Sequence, residues 1–423
     1  MSVAVKSWKG AITVLKKIVF LIVVCVSSML WANASFAQSP IASGNSAYPP
    51  LHLNVSGHLS EQVRHGEYLV KMADCFTCHT NEADGGKAFA GGLKINTPFG
   101  SLYASNITPD KATGIGQWSD QQFVRAVREG IAPDGSYYYP VMPYNYYNKM
   151  SVQDVLDIKA YLDAIPAVRK QNHRQALKWP FNYRFLQFGW RLLFFDFNKG
   201  AYKVNASHSK AWNRGKFIVE GPGHCALCHT KLNYFGVPIK RYLLAGNFIE
   251  DYYAPNITSK GLKLLTDEDV ANIFRHNEMP THSKLGGPMR DVEHNSLRYL
   301  SKADTLGIGH YLKSIQSESP PIEVDINHAF TQADGRKLYQ SNCEMCHGNH
   351  VMGAPSINQR VWDILQGQGL NKLYEVAIRG DGNMPAKGGC DICANGRVKA
   401  AVDYMIFLSK LKQPAKVSGA AVN

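Results

Sequence analysis

Beyond residue 37 the chain has no apolar run that approaches the roughly 20 residues a membrane-crossing helix requires, and the tail after Leu411 is polar. Its body is therefore expected to be soluble or peripherally attached. It has no Gly-x-Gly-x-x-Gly phosphate loop and no hydrolytic constellation, which leaves nucleotide-dependent and hydrolytic chemistry without a site. It has no dense basic stripe either, so the formal net charge of +13 does not indicate nucleic acid. The N-terminus is the one place with an export pattern. Lys6, Lys9, Lys16 and Lys17 precede an apolar run from Ile18 to Leu30, and small residues at Ser35 and Ala37 are placed for cleavage. Residues 1–37 are thus expected to be a signal peptide, with the mature chain starting near Gln38; the run is short for the alternative, an uncleaved anchor. Loss of those four lysines and no acid takes the net charge to +9. Such a surface suits acidic partners and lipid heads.

Free cysteine is also missing from the pattern. Cys25 leaves with the signal, and the other eight fall into four Cys-x-x-Cys pairs, of which three are followed by histidine: Cys75, Cys78, His79; Cys225, Cys228, His229; Cys343, Cys346, His347. An oxidising compartment argues against a cytosolic thiol motif. Positions three apart share a helix face, so two sulfurs can bond the two vinyl groups of one porphyrin while the next histidine reaches the iron. A structural zinc site needs four ligands, and pairing two motifs leaves the third alone and the histidines without a role. Three covalently bound haem c groups are therefore expected, and their six propionates would offset much of the basic excess.

The copies extend beyond the motif. Upstream stand Gly66-Glu67-Tyr68, Gly215-Lys216-Phe217 and Gly335-Arg336-Lys337-Leu338, each expected to open a short helix before its first cysteine. Downstream, Ser151–Leu162, Ser301–Leu312 and Ala394–Met405 have helical spacing and a late tyrosine, Tyr161, Tyr311 and Tyr404. A small and a bulky residue facing an aromatic is what two closely crossing helices require. The fold class expected is all-α: three tandem class I cytochrome c domains with one covalent haem each, over 38–170, 206–318 and 319–412, with an aromatic-rich linker at 171–205 and a tail at 413–423. A haem that only shuttles electrons wants a methionine opposite histidine. Met142 lies 19 residues before Tyr161 and Met384 lies 20 before Tyr404. In the middle module Met279 is followed by proline like the other two, but Met289 keeps the spacing better, at 22 residues before Tyr311. Arg128 precedes Met142 by 14 residues and Arg275 precedes Met289 by the same 14, so Met289 is chosen. A bis-histidine middle haem through His276, His282 or His294 is the alternative. His173, His282 and His350 are read as surface groups, and His224, directly before Cys225, is left open.

Asn106-Ile107-Thr108 and Asn256-Ile257-Thr258 both fall 28 residues after the second haem cysteine of their module. They match a glycosylation acceptor, but the fixed offset indicates a loop with a packing task. In the third module Cys390 and Cys393 have no histidine behind them. A local disulfide is expected, worth only about 2 kcal/mol for so small a loop, with a redox-active pair as the alternative.

Across residues 64 to 312 the segments HGEYLVKMADCFTCHT, TPFGSLYASNITPD, TGIGQWSD, YPVMPYNYY, WPFNYRFLQFGWRLLFF, EGPGHCALCHT, APNIT and GGPMRDVEHNSLRYLSKAD resemble the three-haem cytochrome c subunit of bacterial membrane-bound alcohol, gluconate and sorbitol dehydrogenases. The resemblance implies a subunit that takes electrons from a catalytic dehydrogenase subunit and passes them towards ubiquinone, in the bacterial periplasm or on the outer face of the inner membrane. It also puts the second axial methionine in the GPM segment, at Met289. The third module is different: NCEMCHGNHVMGAPSINQRVW, AIRGDGNMPAKGGCDIC and AAVDYM resemble cytochrome c-five, a small soluble carrier with a disulfide after its methionine loop. That implies a soluble cytochrome or a terminal oxidase as acceptor in place of quinone.

The linker from Trp179 to Phe197 is apolar on nearly every helical face, which reads first as burial between domains. Its alternative is a helix lying in a membrane surface, in peripheral contact with lipid. The function expected is electron transfer, with no catalytic residues and no nucleic-acid partner. A self-contained multihaem oxidoreductase, such as a thiosulfate dehydrogenase or peroxidase, is the alternative; it needs an open position at one iron, which three matched methionines oppose.

Overall fold

Serine or threonine starts helix after helix. Ser119, Ser151, Thr266, Ser301 and Thr331 each accept a hydrogen bond from the backbone N–H three residues on, contributing about 1 kcal/mol apiece. The computed structural model describes residues 48–49, 58–197, 200–249, 252–277, 285–321, 330–348, 354–357 and 361–411. The signal expected at 1–37, the tail at 413–423, Met279, His282 and His350 lie outside the described residues.

Three similar sets of helices follow one another. The first has α1 (His58–Met72), α2 (Cys75–His79), α3 (Asp120–Glu129), α4 (Tyr144–Tyr147) and α5 (Val152–Ala164), and α6 (Leu186–Phe194) lies in the linker. The second has α7 (Lys210–Glu220), α8 (Ala226–His229), α9 (Asp267–His276), α10 (Gly287–Asn295) and α11 (Lys302–Leu312). The third has α12 (Gln332–Leu338), α13 (Glu344–His347), α14 (Val361–Gly367), α15 (Leu370–Arg379) and α16 (Asn395–Leu411).

In each set the first helix crosses the last, α1 on α5, α7 on α11 and α12 on α16. The crossing is backbone against backbone. A Cβ built on Gly66, Gly215 or Gly335 would lie 1.8, 1.9 or 2.0 Å from the carbonyl oxygen of Asp157, Gly307 or Ala400. Each carbonyl belongs to the residue four before Tyr161, Tyr311 or Tyr404. The three glycines lie inside their helices and do not open them, because the closest approach falls where the axes cross.

All-α is too narrow a description. The described residues are mainly helical, with five short strands: β1 (Lys94–Thr97), β2 (Gly100–Tyr103), β3 (Ala176–Leu177), β4 (Asn247–Ile249) and β5 (Tyr252–Ala254). The long loop after each of the first two haem motifs folds on itself as a hairpin, with Ile95 opposite Leu102 and Phe248 opposite Tyr253. Pairing satisfies backbone groups that a long irregular loop would leave open.

One apolar core runs through the first two sets, with Leu69, Phe76, Tyr161, Ile218, Ile308 and Tyr311 among its buried members. Burial of each such side chain contributes about 1.5–3 kcal/mol. The third set has its own core of Leu338, Val398, Ala401 and Val402, which takes in Tyr253 of β5. Polar contacts also join the sets. Arg214 of α7 donates from Nε and Nη2 to the two carboxylate oxygens of Asp304, both at 2.8 Å, and Tyr68 of α1 donates to the same carboxylate at 2.6 Å. Tyr253 N donates to Ser341 Oγ at 3.4 Å, and Lys260 pairs with Asp391 at 3.0 Å.

The linker is not buried between domains. Trp179 is 71% exposed, Phe185 69%, Leu192 65% and Phe197 62%. Only one side of α6 is taken up, by Arg191 at 3% exposure and by Trp190, which donates from Nε1 to the carbonyl of Phe235. No described helix is long and apolar enough to cross a membrane.

Candidate haem sites

The first two motif helices begin after a backbone reversal. Asp74 (φ 50°) and His224 (φ 35°) are left-handed, which ends α1 and the turn after α7 and redirects the chain into Cys75 and Cys225. Asp74 is buried and accepts from Thr77 Oγ1 at 2.6 Å, so the side chain recovers part of the cost of that conformation. The third motif has no reversal: a π-helical turn over Tyr339–Cys343 carries α12 straight into α13.

Each motif places two thiols three residues apart with the histidine beside them. The histidines are fixed through Nδ1, which lies 2.7 Å from the Ser105 carbonyl in His79, 2.7 Å from the Pro255 carbonyl in His229 and 3.1 Å from the Pro355 carbonyl in His347. Burial lowers the pKa of all three below the ordinary 6.5, and the carbonyl contact only partly opposes it. The rings are therefore neutral, with the proton on Nδ1 and the Nε2 lone pair left for a metal.

Composition did not reveal these anchoring carbonyls, since any residue can supply one. The repeated Asn-Ile-Thr was the available signal. Ser105 and Pro255 stand directly before Asn106 and Asn256, whose side chains accept from Thr108 N and Thr258 N, both at 2.9 Å, and close the turn that presents the carbonyl. The agreement continues around the loop. Phe89 N and Leu244 N donate to Thr80 Oγ1 and Thr230 Oγ1 at 3.0 and 2.9 Å, and Gly91 N and Gly246 N donate to the carbonyls of His79 and His229 at 2.7 and 2.8 Å. The packing task expected of this loop is the anchoring of the histidine. In the third motif Pro355 lies only eight residues past His347 and also accepts from Trp362 Nε1.

The motif cysteines are outside disulfides. Desolvation pushes the thiols of Cys75, Cys225 and Cys343 up to about 12, the reverse of what a thiol-exchange site requires. Among the described residues no three His, Cys, Asp or Glu side chains gather as a metal site, so the zinc alternative has no ligand set. Neutral thiols in pairs beside an oriented imidazole fit a haem attached through thioethers.

Met142 lies in a turn between Pro140 and Pro143, held by Met142 N to the Tyr139 carbonyl and Tyr144 N to the Met142 carbonyl. Met289 lies in the first turn of α10 behind Pro288. Both pack against the core that Cys75 and Cys225 also contact. Met384 closes a tight turn with Asp381 and shares the third core with Cys343. Beside it Cys390 and Cys393 form a disulfide, fully buried, and Asn342 Nδ2 donates to the Gly388 carbonyl at 2.6 Å, so the loop lies against the third motif. His276 and His173 are exposed and His294 is half-buried. His224 is a half-buried ring whose pKa desolvation lowers to about 4, and it contacts Tyr147, whose hydroxyl donates to the Ala73 carbonyl before the first motif.

A family model described as cytochrome c oxidase, cbb3-type, subunit III, matches residues 330–405. Over 318 residues, 69% of this chain, the sequence is 33% identical to the fructose dehydrogenase cytochrome subunit of Gluconobacter japonicus, and the match covers 65% of that relative. It is 33% identical over 314 residues to the gluconate 2-dehydrogenase cytochrome c subunit of Pantoea cypripedii, covering 67% of this chain and 68% of the relative. A shorter match, 37% over 87 residues, covers 19% of this chain and 81% of cytochrome c-555 of Chlorobaculum tepidum. The chain spans less than two thirds of the length of several of the curated relatives it matches.

Proposed function

Because the chain belongs to the family of cytochrome c subunits of bacterial fructose, alcohol and gluconate dehydrogenases, we propose that it is the electron-transfer subunit of a dehydrogenase complex, with three tandem cytochrome c domains and a covalent haem c in each. The domains span 38–170, 206–318 and 319–412. Cys75 and Cys78, Cys225 and Cys228, and Cys343 and Cys346 hold the porphyrins. His79 with Met142, His229 with Met289, and His347 with Met384 are the axial pairs. When bound, each haem supplies a one-electron couple, and methionine opposite histidine favours a high potential.

The chain's own residues hold and shield that chemistry. The carbonyls of Ser105, Pro255 and Pro355 keep each imidazole in one tautomer and one orientation. The first two motifs share a core, and Tyr147 spans from Ala73 to His224, so the two motifs are packed against one another. Ser341, two residues before Cys343, accepts from Tyr253 of β5, whose last residue precedes Pro255, and this contact supports a second domain that meets the third beside its motif.

The donor is a catalytic dehydrogenase subunit. The acceptor is quinone, a soluble cytochrome or a terminal oxidase, with the soluble routes supported by the likeness of the third domain to cytochrome c-555. The protein is exported to the periplasm after loss of residues 1–37 and works at the outer face of the inner membrane. A self-contained multihaem oxidoreductase is not favoured, since the relatives are named as subunits.

The observation that carries the reading is the threefold recurrence of paired thiols outside disulfides beside a histidine whose Nδ1 is fixed. Mass spectrometry of the mature polypeptide tests it, with three covalently bound porphyrins expected and fewer refuting it. Purification of the native complex should bring down a large catalytic subunit.

A further inference from the structure

Between α3, α4 and the linker lies a cavity of about 480 Å³ that is lined by none of the haem-motif residues. Arg128 and Asn148 form one side, Arg191 the other, and Phe188, Leu192 and Phe197 line it as well. Three buried polar atoms of its lining have no hydrogen-bond partner: Arg128 Nε, Arg191 Nη1 and Asn148 Oδ1. Arg191 is only 3% exposed and has four aromatic rings, of Tyr137, Tyr144, Phe195 and Phe197, with centroids 4.6 to 5.6 Å from its guanidinium carbon. Those rings favour the cation, and the Tyr144 hydroxyl interacts with the guanidinium, but Nη1 is left without a partner. Glu129 and Asp196 also border the cavity, yet neither forms an ion pair with Arg128 or Arg191 among the described residues. A buried, unpaired arginine is costly, and the cost is recovered when an anion is bound.

The flank of the cavity indicates which anion. Phe188, Leu192 and Phe197 are 57, 65 and 62% exposed, and the same linker continues with exposed Trp179, Phe185 and Leu193. A free phosphate has no use for such an apolar approach, whereas a headgroup carrying acyl chains does. We propose that this cavity binds the phosphate of an anionic phospholipid, with Arg128 and Arg191 as donors and Asn148 Oδ1 accepting a headgroup hydroxyl, and that the linker thereby docks on a membrane surface. The inference rests on the reading of the chain as an exported cytochrome.

The mature, haem-loaded protein is sedimented with phosphatidylcholine vesicles, with and without phosphatidylglycerol, and titrated with inorganic phosphate. Binding to the phosphatidylglycerol vesicles is expected, falling at least tenfold in Arg191→Gln and in Leu192→Asn. The second variant alters an exposed side chain, so it remains informative if the first misfolds. Equal binding to both vesicle types, full binding by either folded variant, or phosphate binding without vesicle binding would overturn the proposal. The haem count and electron uptake are read on the same samples: three reducible haems with no vesicle binding sink the docking site alone, and fewer than three sink the functional reading.

Discussion

Gly66 passes the backbone of Asp157 so closely that a Cβ would lie 1.8 Å from its carbonyl oxygen and 3.1 Å from Tyr161 Cβ. The first helix of that set can cross the last at this distance only without a side chain. Gly66→Ala forces α1 and α5 apart, and overpacking of this kind costs about 1–3 kcal/mol. Gly215→Ala and Gly335→Ala should act alike, since their contacts are 1.9 and 2.0 Å. Gly189→Ala in α6 meets nothing within 4 Å and should hold or raise the melting temperature. Thermal unfolding of the four variants checks the contrast.

The histidine anchors give a second expectation. Asn106→Ala removes the side chain that closes the turn over Ile107, and Asn256→Ala does the same over Ile257. The carbonyl of Ser105 or Pro255 is then less well aimed, and a weaker Nδ1 hydrogen bond makes the imidazole a poorer electron donor. Each variant should raise the reduction potential of one haem and leave the other two in place. A redox titration showing all three moved together, or none, contradicts this.

Acid should loosen the seam between the first two sets of helices. Burial pushes the Asp304 carboxyl up, but hydrogen bonds from Arg214 and Tyr68 and the Arg214 charge outweigh it, so the group lies below its ordinary 3.8. A carboxyl depressed in the folded state contributes stability above its unfolded value, and that contribution is lost as pH falls through the lower folded value. Stability should therefore drop below about pH 4 more steeply in the wild type than in Asp304→Asn, which starts lower and titrates less. Melting curves between neutral pH and pH 3 report the difference.

The axial assignment is tested with carbon monoxide. Met289→Ala should open the second haem to the gas when reduced, and Met142→Ala and Met384→Ala should open the first and third. Met279→Ala should open none. Carbon monoxide difference spectra decide, and a response in Met279→Ala with none in Met289→Ala would transfer the ligand.

How much of this was legible before folding varies by residue. The haem motifs were, because the chemistry is local: two thiols and an imidazole within five residues need only one helical turn. The crossings at Gly66, Gly215 and Gly335 were legible as a small residue facing a late tyrosine, although their place in mid-helix was not. Backbone anchors such as Pro355 leave no mark in residue type. Ser105 and Pro255 could be reached only through the repeated Asn-Ile-Thr at a fixed offset. The hairpins β1–β2 and β4–β5 were missed, since strands of three or four residues carry too few alternations to rise above a loop.

The linker marks the boundary between the two kinds of information. Its apolar character from Trp179 to Phe197 is a property of the chain, but whether that surface is covered depends on what else arrives there, and there the expectation of burial failed. The amino-acid order alone specified three places where two thiols and an imidazole share one helical turn, because covalent spacing sets reach. Only the packed molecule decided which carbonyl holds which histidine, that β5 reaches Ser341 before the third motif, and that the buried Arg191 has no ion pair among the described residues. Those outcomes depend on groups far apart along the chain meeting in three dimensions, and no local pattern records them.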